Sequence, residues 1–468
     1  MQTEDTSFDA LAIAAQAGVD YRRRIAKIDT TPVEPYAQVL ARFAEPLPES
    51  GGNGAAIIED LIANATGGIR AMTHPRFFGW VIGGSHPTGV AADWLTSAWG
   101  QNCGNVLAAP AACAVEAVVA GWMLELLNLP RESSVGVVSG ATVANTVCLA
   151  AARGEVLRRA GWDVEADGLF RAPEITVMIG ADAHATVFSG LRYLGLGAKR
   201  VVEIATDPLG RMLPGDLEAK LAGHSGPLIV IAQAGQINTG VSDPFSEIAP
   251  MVREAGGWLH VDGAFGLFAA SSPKHRHLVA GVEEADSWGT DGHKWLQTPY
   301  DGSFAIVRDE AAHRRAMSIT ASYLPTPAES ERDPTAYVME LSRRARGFAM
   351  WAMLKQLGRE GVARMVEQDI AVARQMAEGM AAIDGAELIC PAELNQFMVR
   401  FGGEDALTLA TVEQIQRDAA CFIGASQWRG QWVMRVSVCS IATTLEDGRI
   451  TVEAVRAAWE KIRPRAPG

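Results

Sequence analysis

The chain has 468 residues, room for about three domains at roughly 150 residues each, and its core can be large enough to need neither disulfides nor a structural metal. Its 41 Lys and Arg against 54 Asp and Glu give a net charge of −13, which excludes the positive footprint that nucleic-acid phosphates require. The longest apolar runs, such as Pro227 to Ala234, are too short to span a bilayer, and the N-terminal MQTEDTSFDA has neither the basic start nor the apolar core of a signal peptide.

Taken in chain order, residues 1 to about 70 read as amphipathic helix interrupted by Pro32, Pro35, Pro46 and Pro48. Ala111 to Leu127 is one continuous helical stretch, stopped by Pro130. Short apolar runs follow at Val135–Val138, Ile175–Ile179, Leu228–Ala232, Trp258–Val261 and Phe304–Val307, with helical stretches between most of them. That alternation predicts an α/β fold built on a mainly parallel sheet covered on both faces. Beyond Pro334, the basic SRRARG segment (342–347) opens a long helix running towards Met380. Phe397–Phe401 and Met434–Val438 then read as strands, and Leu445–Ile462 as a last helix. The predicted organisation is a helical arm (1–75), a large domain (76–345) and a small C-terminal α+β domain (346–468). Cys103, Cys113, Cys148, Cys390, Cys421 and Cys439 form no CxxC pair and no zinc spacing, so they are expected to be buried apolar residues in a reducing cytoplasm.

Four segments carry chemistry. Ser139-Gly-Ala141-Thr142 follows a strand and starts a helix, where open N–H groups and the positive helix end suit a phosphate. His184 follows the Ile175–Ile179 strand. His260-Val-Asp262-Gly-Ala264 puts a carboxylate just past a buried strand, where open α/β sheets hold their ligands. Asp291-Gly-His293-Lys294-Trp295 places a lysine between two predicted strands. Each segment alone is weak, since a helix cap, a packed histidine and a surface lysine are the commoner readings. Together they supply a phosphate cup, a stacking ring, a buried acid and an amine, the set that a pyridoxal 5′-phosphate (PLP) enzyme needs.

In these motifs, and in His74-Pro-Arg-Phe77-Phe78-Gly-Trp80, Ala92-Asp93, Ala109-Pro110 and Glu116 through Leu129-Pro130, the chain resembles the pyridoxal-dependent decarboxylases. These are the group II relatives of aromatic-amino-acid and glutamate decarboxylases, within the fold-type I PLP enzymes, and the likeness covers roughly residues 70 to 460. The resemblance implies a mixed, mainly parallel seven-stranded sheet and a homodimer with active sites at the subunit interface. It implies that Lys294 carries the cofactor, that Asp262 pairs with the pyridine nitrogen, and that Ala264 and His184 lie against opposite ring faces. Ala141, Thr142 and His293 would hold the phosphate, and Gln236 and Asn238 would reach the ring hydroxyl or the imine. Trp80, Phe78 and His86 would line the substrate. The implied reaction is decarboxylation of an aromatic or bulky apolar L-amino acid through external aldimine and quinonoid intermediates. The alternatives are a PLP-dependent lyase or aldolase, a decarboxylative oxidative deaminase or an aminotransferase, and lastly a non-catalytic PLP-fold binding protein.

Two features depart from that family. Its decarboxylases carry a loop tyrosine that protonates the carbanion, and here the stretch from Tyr323 to Tyr337 looks shortened, with Tyr337 as the candidate proton donor. Asp291 stands where a neutral residue would suit a phosphate, so it is expected to face a backbone N–H or a basic partner. Arg435 occupies the position of an aminotransferase carboxylate anchor, with a structural salt bridge as the safer role. Arg343, Arg344 and Arg346 are expected to support the dimer or the loop.

Overall fold

The computed structural model describes residues 7–30, 33–319 and 331–464. The arm consists of α1 (Ser7–Arg24), α2 (Tyr36–Phe43) and α3 (Gly54–Thr66), none of which contributes a buried residue. Helices α4 (Pro87–Trp99) and α5 (Pro110–Leu126) lead into the large sheet. Its strands are β1 (Ser134–Val138), β2 (Thr176–Gly180), β3 (Val202–Ile204), β4 (Leu228–Gln233), β5 (Trp258–Asp262), β6 (Ser287–Asp291) and β7 (Ser303–Val307). Between and after them run α6 (Ala141–Arg159), α7 (Val164–Asp167), α8 (Ala185–Tyr193), α9 (Pro214–Leu221), α10 (Phe245–Glu254) and α11 (Glu310–Met317).

The sheet order is β1-β7-β6-β5-β4-β2-β3, parallel throughout except at β7, which runs antiparallel to both neighbours. This is the expected seven-stranded mixed sheet. Its central strands are buried on both faces, so alternate residues enter different cores. Ile229 and Ile231 of β4 pack with α6, α8 and α11, whereas Leu228, Val230 and Ala232 pack with α5 and α10. That two-sided burial is why the strands read as unbroken apolar runs.

Helix α12 (Gly347–Ala381) joins the two halves and carries a non-helical residue, Gly358, at φ 62°. Its residues Met350 to Ile370 pack into the large-sheet core, and those from Val372 onward into a second core. The second core is built on an antiparallel sheet of β8 (Ala386–Cys390), β9 (Gln396–Phe401), β10 (Gly424–Trp428) and β11 (Gln431–Ser437), in the order β10-β11-β9-β8. Helices α13 (Asp405–Asp418) and α14 (Leu445–Ile462) cover it. All six cysteines are free and buried. No helix among the described residues is long and apolar enough to cross a membrane.

Candidate active site

A cavity of about 220 Å³ opens at the carboxyl ends of β1, β2, β4, β5 and β6. Each strand end delivers one part of its wall. Gly140, Ala141 and Thr142 come after β1, His184 after β2, Gly235 and Ile237 after β4, Asp262 and Ala264 with β5, and Asp291, His293 and Lys294 with β6. Four motifs scattered over more than 150 residues therefore meet because one sheet edge collects them.

The turn carrying Lys294 is held on every side. The Gly292 and His293 N–H groups both donate to the Gly302 carbonyl, at 2.9 and 3.1 Å. Trp295 and Leu296, which follow, are fully buried, and Trp295 meets Phe265 and Phe268 edge to face. Gln297 has a positive φ of 59° and ties three segments together. Its amide donates to the Lys294 and Cys439 carbonyls at 2.9 and 3.2 Å, and its Oε1 accepts from the Gly84 N–H at 2.8 Å. Gly83 packs so tightly behind the lysine that a Cβ there would lie 2.2 Å from the Lys294 carbonyl oxygen.

The acids and histidines are equally fixed. Burial pushes the Asp262 carboxyl up, against the pull of His184 and Lys294, and its Oδ1 accepts from the Ala264 N–H at 3.2 Å. His184 caps α8, where its Nδ1 accepts from the Thr186 N–H at 3.4 Å and lies 2.7 Å from the Thr186 hydroxyl. That arrangement leaves the ring proton on Nε2. Burial holds His184 below its ordinary range, despite the neighbouring Asp262 carboxylate. Gly140 has no side chain to cap the first turn of α6, and although the Val143 N–H donates to the Gly140 carbonyl at 2.9 Å, the Ala141 and Thr142 N–H groups are left for a ligand. His293 packs beside that turn under the ring of Tyr300, with centroids 4.2 Å apart.

Asp291 faces a basic partner, as expected, and the partner is Lys294 itself: Nζ lies 2.8 Å from Oδ2. His293 Nε2 is 3.6 Å from the same oxygen, and the Ser303 hydroxyl donates to Oδ1.

Several expected residues are elsewhere. Gln236 does not line the cavity, because its Oε1 accepts from the Asn238 and Thr239 N–H groups at 2.6 and 3.0 Å and so shapes its own turn. Asn238 instead accepts from Ser426 at 2.8 Å and Arg435 at 3.4 Å. Phe78 is 1% exposed and belongs to the second core, under the antiparallel sheet. His86 caps α4 by accepting from the Thr88 N–H at 3.2 Å. Trp80 is 52% exposed and stacks on Phe422 and Phe77, away from the cavity wall.

Tyr337 is not at the site. Its hydroxyl donates to Glu310, its carbonyl meets His313 Nε2 at 3.0 Å, and Arg332 covers its ring at 4.3 Å. The preceding stretch from Tyr323 to residue 330 lies outside the described residues. Arg435 makes no salt bridge among the described residues; it donates to the Ile237 carbonyl at 3.3 Å and to Asn238. Arg343, Arg344 and Arg346 pair within the chain, with Glu116, Asp93 and Asp301. Phe265, Ile237 and Gln297 were not legible as site residues, because apolar walls and buttresses carry no motif of their own.

A sheet edge that converges a lysine, a buried acid, a histidine and an open helix N-terminus defines a fold-type I PLP enzyme. The comparisons narrow the class. The family model for the pyridoxal-dependent decarboxylase conserved domain matches residues 37–402, and the chain belongs to that family. It is 28% identical over 449 residues to the aromatic-L-amino-acid decarboxylase of Sus scrofa, covering 92% of this chain and 90% of that one. It is 26% identical to the 4-hydroxyphenylacetaldehyde synthase of Rhodiola rosea, covering 90% and 88%. In fold it is similar to the crystal structure of Oryza sativa TDC with PLP and tryptamine, with a TM-score of 0.89, 22% identity and 99% of each chain covered.

Proposed function

We propose that this PLP-dependent decarboxylase acts on an aromatic or bulky apolar L-amino acid, releasing CO₂ and the amine, and that Lys294 is the residue that carries the cofactor. The observation that carries the reading is the convergence of Lys294, Asp262 and His184 on one cavity. The first turn of α6 and His293 would hold the phosphate, Asp262 the pyridine nitrogen, and Ala264 and His184 the two ring faces. Bound there, PLP supplies an electron sink for the pair left on Cα when the carboxylate departs.

The chain's own part is electrostatic and steric. Asp262, buried and fixed by the Ala264 N–H, is placed to keep a proton on a ring nitrogen. His184, neutral with its proton on Nε2, offers a flat face and a donor without adding charge. Phe265 and Ile237 add apolar wall beside the uncharged Thr186 and Gln233, and Lys294 is the single Lys or Arg among the described lining residues. An acidic side chain on the substrate would find no cation of its own in that wall, whereas an aromatic ring would bury well. Apolar surface such as Phe265 and Ile237 beside the departing group also favours loss of neutral CO₂ over retention of a carboxylate. A homodimer in the cytoplasm completes the proposal; its support is the family, together with exposed Trp94, Leu95, Trp99 and Leu107 on and after α4.

The test is a panel of L-amino acids given to the holoenzyme, with CO₂, amine, aldehyde and ammonia followed together. Amine and CO₂ in equal amounts from tyrosine, tryptophan or phenylalanine, and little from glutamate, are the expected result. Aldehyde with ammonia, or a preference for glutamate, would overturn it.

A further inference from the structure

Asp291 is the one carboxylate in the cavity for which the expected ligand gives no use. Asp262 closes β5 and Asp291 closes the adjacent parallel strand β6, three residues before Lys294. It is 2% exposed, its N–H donates to the Ala264 carbonyl at 2.9 Å, and Ser303 of β7 fixes one of its oxygens. The other oxygen is 2.8 Å from Lys294 Nζ. His293 is the more distant basic group, its Nε2 lying 3.6 Å from the same oxygen. The Gly302 N–H donates to His293 Nδ1 at 3.4 Å, which turns Nε2 towards Asp291. A carboxylate buried this deeply needs a cation, and the cation in reach is the Lys294 ammonium. Burial pushes the Asp291 carboxyl up, but Lys294 and His293 outweigh it and hold it below the ordinary range.

From this geometry we infer that Asp291 is a catalytic residue whose role is to hold the proton on Lys294 Nζ whenever that amine is free, and so to set the pH at which the lysine can take up or take back the cofactor.

The inference rests on Lys294 being the cofactor lysine. The step at stake is balanced and needs no redox partner. The neutral amine attacks the aldehyde carbon, a C=N bond replaces C=O, the oxygen leaves as water, and the ammonium proton must first depart to solvent. An ammonium held by Asp291 has no lone pair to offer. The other titratable groups facing Nζ are Asp262 on β5, His184 at the start of α8, His293 beside it and Cys439 after β11. Asp262 is the second anion of the set and stays in every variant below, so the comparison isolates Asp291.

The experiment strips the full-length protein of cofactor and follows the growth of the visible absorbance on adding pyridoxal 5′-phosphate across a pH series. It is then repeated with pyridoxal, which lacks the phosphate. Asp291→Asn keeps the shape and the contact with Ser303 but removes the charge, and Asp291→Ala is the second variant. The expected result is a loading profile displaced towards lower pH by about one unit, hence about tenfold faster loading on its acid side, with both aldehydes and in both variants. An unmoved profile would overturn the inference. So would a shift seen with pyridoxal 5′-phosphate but not with pyridoxal, because Asp291 would then act on the phosphate and not on the lysine. A visible band that still develops in Lys294→Ala would instead remove the reading on which the inference rests.

Discussion

The indole N–H of Trp295 donates to Asp369 Oδ2 at 2.7 Å, joining the residue next to Lys294 to the middle of α12. Asp369 lies just where α12 passes from the large core to the small one, between Ile370 and Val372 on one side and Val366 on the other. Both partners are fully buried, and Asp369 Oδ1 has no hydrogen-bond partner among the described residues. Burial raises this carboxyl well above its ordinary range, against the pull of the Trp295 bond. The lysine turn is therefore anchored to the joint between the two cores by a hydrogen bond to an acid that resists ionising.

Asp369→Asn should keep that bond and Asp369→Leu should lose it. A stranded Trp295 N–H costs about 1–3 kcal/mol, read from denaturant unfolding. The pH dependence separates the two effects. Because the native carboxyl is raised, the native state binds the extra proton, and stability falls as pH rises from the ordinary carboxylate range through the native value. Asp369→Asn should flatten that part of the profile. An unchanged slope would show that Asp369 is not the group responsible.

Acid acts with the opposite sign through the buried histidines. Burial lowers His260 to about 3 and His313 to about 3, both fully buried with hydrogen bonds to Ser287 and to Ser134 respectively. The unfolded chain binds protons that these native rings refuse. Stability should accordingly fall as pH drops from about 6.5 towards about 3, at up to about 1.4 kcal/mol per pH unit for each ring. His313→Asn should reduce the slope measured by urea unfolding at several pH values; an equal slope would contradict the assignment.

Glu116 of α5 and Arg343 form a buried two-pronged pair, at 2.8 and 2.6 Å, with both side chains about 1% exposed. Removing one partner strands a charge, so Glu116→Gln should cost about 3–5 kcal/mol in denaturant unfolding. The double variant Glu116→Gln, Arg343→Met should recover part of that loss. Additive losses would mean the pair is not coupled.

Tyr337→Phe should leave products and turnover unchanged, since the hydroxyl bonds Glu310 and not the cavity. A stability loss of about 1 kcal/mol is the expected trace of the lost hydrogen bond. A slower reaction or a new product would restore Tyr337 to the mechanism.

Much of this was legible in the sequence where local pattern and chemistry coincide. The strands β1, β2, β4, β5 and β7 announce themselves as apolar runs, and Asp262, Ala264, His184 and Lys294 each follow or end a strand, as the sheet edge requires. The strand β6 was not legible, because Ser287-Trp-Gly-Thr-Asp291 is neither apolar nor alternating; its burial comes from neighbours on both sides. Side-chain direction was the other hidden quantity. Gln236, Asn238 and Phe78 lie near the site in sequence terms, but turn geometry and the second core claim their side chains. Gln297 shows the converse, a residue without a motif whose amide joins three distant segments.

The most direct test of the account is the mass of the lysine itself. Holoenzyme reduced with borohydride, digested and sequenced by tandem mass spectrometry should carry the reduced cofactor on the Lys294 side chain. The modification should be absent from Lys294→Ala, which should also lose CO₂ release. Cofactor fixed to another lysine, or CO₂ release that survives Lys294→Ala, would contradict the site as assigned.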